Sequence, residues 1–258
     1  MNDIATIKPK LIKLKLSGIY ETLDERLKIA NQEKWSYSQF ILTLFTDEVE
    51  RREQGKLIRR LNKSNMEPDK TLESFDFSFN ARIHEPTIRE LSTCRFIDKH
   101  ENIFILGPSG VGKSHLAQAI GHVACRKGYD VYFERTSKIL KWIHKGLGDG
   151  TYERRINTIS KYPVLILDDY GLDDIDETQQ AYLYEIICER YEKTSTIITS
   201  NRDFGEWMSI FTNPLIGSAA MDRLLHRAIK ILIEGDSYRL ESFLKVNKRE
   251  VKTEHITS

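Results

Sequence analysis

Gly107-Pro108-Ser109-Gly110-Val111-Gly112-Lys113-Ser114 follows the apolar run Ile103-Phe104-Ile105-Leu106 and precedes a helical pattern that opens at His115. The spacing is that of G-x-x-x-x-G-K-[ST], and the strand–loop–helix context separates it from a chance match. Glycines let such a loop turn its backbone N–H groups toward a polyphosphate, and the helix N-terminus adds partial positive charge. Within that chemistry Lys113 reaches the β- and γ-phosphates and the Ser114 hydroxyl ligates Mg²⁺. The competing reading is a glycine-rich turn that binds nothing. The context favours a nucleoside triphosphate site that takes in residues 107–115.

Around this motif strand and helix signals alternate. Apolar runs predict strands at 103–106, 130–134, 163–167, 195–199 and 229–233, with helices at 113–127, 136–146, 151–160, 176–192 and 217–227. Short continuous apolar strands are those of a parallel sheet covered on both faces, so the fold class is α/β, a three-layer P-loop domain. The strand at 130–134 comes between the P-loop strand and the next acid-bearing strand. That order points to the motor and switch branch of P-loop proteins rather than to simple kinases.

Upstream, Ile12, Leu16, Ile19, Leu23 and Leu27 predict one amphipathic helix over residues 10–30. A second starts at Ser36, with Gln39 completing a capping box, and runs to about Lys63. Residues 64–82 break the periodicity, and a short helix near 86–98 leads into the P-loop strand. The organisation expected is a small helical domain over 1–66, a linker over 67–82, the ATPase domain over 83–245 and a polar tail over 246–258. Only 24 residues follow Glu234, too few for a helical lid of any size.

The 258 residues carry a net charge of +1, with 40% apolar and 30% charged side chains, as in a soluble globular protein. No apolar stretch approaches the ~20 residues of a membrane span. Cys94, Cys125 and Cys188 are too scattered for a disulfide framework and are expected to be buried thiols in a reducing, cytoplasmic compartment. The neutral total hides a basic segment, since Arg51–Lys63 holds six cations and one acid. Arg52, Lys56, Arg59 and Lys63 share one helix face, with Arg60 beside them, and suit either a row of phosphates or plain solvation.

Four further residues suit phosphoryl chemistry. Val164-Leu165-Ile166-Leu167 ends in Asp168 and Asp169, where a hard cation and an attacking water find carboxylates at the C-terminal end of a parallel strand. Asp168 suits the magnesium-side role and Asp169 that of general base, the competing reading being a solvated strand end. Asn201 ends the strand that begins at Ser195 and reaches either a γ-phosphate or only its own turn. Arg223, on a helix, is either a finger for a neighbouring subunit's γ-phosphate or a surface arginine paired with Asp222 or a nearby acid.

Taken together, these residues resemble the IstB-like ATPases, helper proteins of insertion-sequence transposition and AAA+ proteins related to DnaC-type helicase loaders and DnaA. The resemblance covers nearly the whole chain. It rests on the order of Leu14–Ile19, Leu61-Asn62-Lys63, Ser74-Phe75-Asp76-Phe77, Gly107–Ser114, Leu165–Gly171, Glu189-Arg190-Tyr191, Ser195–Asn201, Met221–Leu224 and Asp236-Ser237-Tyr238-Arg239. It implies ATP and Mg²⁺ as cofactors, with Phe75 and Phe77 packing on adenine. It also implies that Asn201 is sensor 1, Arg223 a finger acting in trans and Arg239 a sensor-2-like arginine, with a reduced lid. Asp169 stands where most AAA+ proteins have glutamate, setting the base back by roughly 1.5 Å. The function implied is an ATPase that oligomerises on target duplex DNA and recruits or stimulates the transposase of the same element. A DnaC-like helicase loader is the alternative. A small-molecule kinase ranks third, because no acceptor-binding or lid motif is present.

Overall fold

Continuous apolar runs become the interior of a five-stranded parallel sheet in the computed structural model, which describes residues 3–79, 83–238 and 240. The chain divides into two units, residues 1–59 and 60–258.

The first unit is helical: α1 (Asp3–Lys13), α2 (Ser17–Glu33) and the start of α3 (Tyr37–Lys63). The single helix expected over 10–30 is in fact two. Lys15 takes a left-handed conformation (φ 55°), Leu16 N–H bonds Leu11 O, and Lys15 N–H bonds Ile12 O. This is a Schellman stop with lysine where glycine is usual, so the sequence carries no warning of it. The expected capping box opens α3: Gln39 N–H donates to Ser36 Oγ, and Ser36 N–H to Gln39 Oε1. Leu11, Ile19, Leu23 and Leu44 form the core of the unit.

α2 starts against α3 at Gly18. A Cβ at Gly18 would lie 2.7 Å from both Asp47 O and Glu48 Cα, so only glycine permits this approach. Glu48 uses the closeness, its carboxylate accepting the Gly18 and Ile19 N–H groups at 2.7 and 3.3 Å and the Arg52 guanidinium at 2.6 Å. Two orphan donors of the α2 N-terminus are thereby satisfied. Burial pushes the Glu48 carboxyl up, but these three donors outweigh it and hold it below its ordinary value.

The second unit continues with α4 (Glu85–Leu91), α5 (Arg95–Asp98), β1 (Asn102–Leu106), α6 (Lys113–Arg126), β2 (Val131–Arg135), α7 (Thr136–Gly148), α8 (Tyr152–Ser160) and β3 (Val164–Asp168). Then come α9 (Glu177–Arg190), β4 (Ser195–Ser200), α10 (Phe204–Trp207), a 3₁₀ turn (Met208–Ile210), α11 (Pro214–Leu225) and β5 (Ala228–Leu232). The helix expected near 86–98 breaks in two where Cys94 is left-handed. Strand order is β2-β3-β4-β1-β5, all parallel. The strand separating the P-loop strand from the acid strand in space is therefore β4, while the run at 130–134 forms the edge. Ile103, Phe104, Ile105, Leu165, Ile166, Ile197 and Ile198 are fully buried, as covered central strands require.

Arg190, from the Glu-Arg-Tyr motif, ties this sheet to its helices. Its guanidinium, wholly buried, donates to Thr196 Oγ1 and to the carbonyls of Ile159, Ser160, Tyr162 and Ser195. Burial pulls it down to about 9, so it keeps its charge at neutral pH. Cys94 and Cys125 are buried, with thiols pushed up to about 11 by desolvation; Cys188, against expectation, is only half-buried.

Candidate nucleotide-binding site

The loop leaves β1 between two strands that both hold it. Gly107 N–H donates to Ser200 O at the end of β4, and Ile233 N–H, just past β5, donates to Leu106 O. Gly107 has φ 150°, and a Cβ there would stand 2.0 Å from Ile233 O. Further on, Tyr238 N–H bonds Gly110 O. Gly112, left-handed at φ 97°, starts α6, whose N-terminus faces the loop. Lys113 is buried and its ammonium reaches back to Pro108 O at 2.7 Å, across the space a phosphate would fill.

Thr199 organises the acids on the facing strand. Its hydroxyl donates to Asp168 Oδ1 at 2.5 Å and accepts the Asp169 N–H at 3.1 Å. Thr136 Oγ1 adds a bond to Asp168 O. Asp168 is buried, whereas Asp169 sits at φ 53° and faces Arg135 Nε across 3.6 Å. Nothing in the sequence pattern singled out Thr199; its parallel register beside β3 is what reveals it.

Residues expected to be a linker are strapped along α6. Glu67 N–H donates to Gln118 Oε1 at 2.7 Å, His122 Nε2 meets Glu67 O, His115 Nε2 meets Thr71 O, and Arg126 pairs with Glu73 at 2.7 Å. His115, Gln118, His122 and Arg126 recur at helical spacing, one polar row holding one segment. Burial lowers the His115 imidazole from its ordinary value. The strap delivers Phe75 to the loop: its ring edge lies 3.1 Å from where a Gly112 Cβ would stand, and its ring meets His115 edge-on.

A cleft of about 1130 Å³ collects these groups. Ser109 to His115, Phe75, Asp168, Asp169 and Asn201 all line it. Phe77 does not; it packs edge-on against Phe75 instead. Phe79 and Tyr238, in edge-to-face contact, do line it and were not foreseen, because aromatic rings in irregular segments give no periodic signal. Arg239 lies outside the described residues, as does the tail. The donor set fits magnesium: one hydroxyl (Ser114) and one carboxylate (Asp168) share the cleft with the anion cradle, and this ion takes its remaining ligands from phosphates and water. Among the described residues no cluster of three or more His, Cys, Asp or Glu side chains forms a metal cage, and that chemistry needs none.

Arg223 lies elsewhere. Its guanidinium bonds Ala219 O and stacks over Tyr184 and Tyr191, beside Asn102 at the entry end of β1. The P-loop begins at the exit end, about 13 Å away for four strand steps. The pairing with Asp222 is not what holds it. Of the basic residues on α3, Arg52 is held by Glu48 and Lys15 O, Lys56 by Glu53, and Arg60 by Asp130 at 3.5 Å. Arg59 Nε donates to Gly55 O, and Lys63 is exposed in the last turn. No helix among the described residues is long and apolar enough to cross a membrane.

The chain is similar to known proteins in sequence and in fold. An insertion-sequence ATP-binding protein of Mycobacterium tuberculosis is 37% identical over 234 residues, 90% of this chain and 93% of its own. One from Geobacillus stearothermophilus is 35% identical over 228 residues, 88% and 91% of the two chains. Among solved structures, the DnaC helicase loader superposes with a TM-score of 0.52 at 25% identity, over 57% of this chain and 86% of that one. Replication initiator DnaA bound to AMPPCP and single-stranded DNA gives 0.56 at 26%, over 67% and 52%. The fold is thus that of P-loop AAA+ ATPases. The model of the IstB-like ATP binding protein family matches residues 9–246, and the chain belongs to that family.

Proposed function

We propose that the protein is an ATP-hydrolysing switch of DNA transposition, which oligomerises on target duplex DNA and recruits or stimulates the transposase of its element. The observation that carries this reading is a division of labour. Cradle, acids and Asn201 line one cleft, while Arg223 sits at the opposite end of the sheet. A finger so placed serves a neighbour's nucleotide, and a site completed in trans works only in an assembly.

Within the cleft, Lys113 and the loop N–H groups hold the β- and γ-phosphates, with Phe75, Phe79 and Tyr238 beside them for the base. Ser114 and Asp168 would hold Mg²⁺, which would supply positive charge against the phosphates. Asp169 accepts a proton from the attacking water, and Asn201 orients that water or the γ-phosphate. Arg223 of the adjacent subunit stabilises the charge that develops during transfer.

The test is imaging of the full chain with ATP, with and without duplex DNA, beside ATPase rates. Discrete assemblies on duplex that need ATP, and vanish in Lys113→Ala, are expected. Duplex binding indifferent to ATP, or absent, would sink the proposal. The likeness to the DnaC helicase loader supports a second reading, in which single-stranded DNA is preferred and a replicative helicase is the partner.

A further inference from the structure

Arg223 does not hang free from its helix. Its Nη1 donates to Ala219 O at 2.9 Å, one turn back on α11. Its guanidinium carbon lies 5.6 Å from the ring centre of Tyr184 and 5.9 Å from that of Tyr191. Tyr184 belongs to α9 and Tyr191 is its C-cap. Seven positions are two helical turns, so the two rings share one face of that helix, and both are half-buried. The backbone beside the arginine is fixed as well. Asn102 Nδ2 donates to Leu224 O and its Oδ1 accepts the Thr196 N–H, each at 3.0 Å, which ties the end of α11 to β1 and β4. The Tyr191 ring in turn packs against His226, with ring centres 5.6 Å apart.

This is not how a surface arginine is usually held. Among the described residues no carboxylate pairs with the guanidinium. Stacking occupies a face of its plane, whereas its five N–H donors lie in the plane. With one hydrogen bond to Ala219 O, the in-plane edge keeps donors for a phosphate oxygen. An arginine locked in an ion pair would have to break that pair first. A free one would lose its rotamer freedom on docking. Held by rings, Arg223 has met that entropy loss during folding and gives up no charge partner when it is used.

We propose that Tyr184 and Tyr191 are positioning residues for ATP hydrolysis, holding the Arg223 guanidinium in the pose in which it reaches a neighbouring subunit's γ-phosphate. The proposal rests on the reading of Arg223 as a finger acting in trans. It adds that the finger is set by its own subunit before the neighbour arrives. Neither ring touches nucleotide; both act through the guanidinium.

The experiment is ATPase kinetics of the full chain with duplex DNA over a range of ATP concentrations. Tyr191→Ala is expected to lower kcat roughly tenfold, the scale of a partly desolvated cation–π contact, with KM for ATP unchanged. Tyr191→Phe, which keeps the ring, should retain most of the rate. On an Arg223→Ala background, Tyr191→Ala should cost nothing further, because groups that act through one side chain do not add. Thermal unfolding reports whether the variants fold, and Tyr184→Ala carries the same comparison if Tyr191→Ala does not. Wild-type kcat in both alanine variants overturns the proposal. So does Tyr191→Phe as slow as Tyr191→Ala, or a further tenfold loss on the Arg223→Ala background. Arg223→Ala hydrolysing at the wild-type rate removes the finger reading itself, which separates the two failures.

Discussion

Thr199 donates its hydroxyl to Asp168 Oδ1 and receives the Asp169 N–H on the same oxygen, so one side chain sets the orientation of both acids. Residues that orient a metal ligand typically contribute 10–100-fold to affinity or activity. Thr199→Val, which keeps the shape and removes the hydroxyl, should cut ATP hydrolysis by about that factor, and Thr199→Ser should restore most of it. ATP affinity measured without magnesium should barely move. Equal hydrolysis by the valine variant would show that the acids are positioned by other means.

Arg223 lies beside Asn102 at the entry end of β1 and does not line its own subunit's cleft. Arg223→Ala is expected to spare ATP binding and lower hydrolysis by roughly 10³-fold. Mixing it with Asp169→Asn, which keeps the cradle and the finger, gives the sharper measurement. Each variant should be nearly inactive alone, but mixed assemblies pair intact acids with an intact finger and should regain part of the rate. No recovery on mixing would rule out a site shared between subunits.

At Gly18 the argument is steric. Gly18→Ala places a methyl 2.7 Å from the α3 backbone, and overpacking of this kind costs about 1–3 kcal/mol. Trp35 is the tryptophan of the first unit, so its fluorescence during denaturation reads the loss. The neighbouring Glu48 makes the same helix pair acid-sensitive. Its folded carboxyl is held below the unfolded value of 4.5, so its contribution is complete above that value and is lost as pH falls through the folded one. The Trp35 transition should shift to lower denaturant at acid pH in wild type, and less so in Glu48→Gln.

Arg190 predicts a stability effect without a carboxylate partner. Arg190→Met leaves the carbonyls of Ile159, Ser160, Tyr162 and Ser195 to find other donors, at a cost on the order of 3 kcal/mol. Thermal denaturation should show a clear drop in midpoint, with Arg190→Lys intermediate.

The strap should matter to nucleotide binding although most of it touches no phosphate. Gln118→Ala removes the acceptor for Glu67 N–H and loosens the segment that carries Phe75, which should weaken ATP binding by about tenfold. Titration of a fluorescent ATP analogue reads this directly. An unchanged affinity would mean that Phe75 is held by the loop alone.

What could be read from the sequence was local. Ile103–Leu106 with its glycine loop, and Val164–Leu167 with its two acids, carry their meaning in adjacent residues, and both stand where expected. All five strands and most helices of the second unit fall within a few residues of the apolar runs for the same reason. What escaped depends on partners far apart in the chain. Thr199 matters only because β4 lies beside β3, and the strap exists only because His115, Gln118, His122 and Arg126 face residues some fifty positions earlier. The stop at Lys15 escaped because lysine fills a position that glycine usually marks.

Gly107, fixed through Ser200 on one flank and beside the Leu106–Ile233 bond on the other, has a kinetic consequence. The first turn of the cradle is paid for in conformational entropy when the chain folds, not when nucleotide arrives. ATP then meets a loop whose entry is already anchored, so less of the ordering cost falls at the moment of binding.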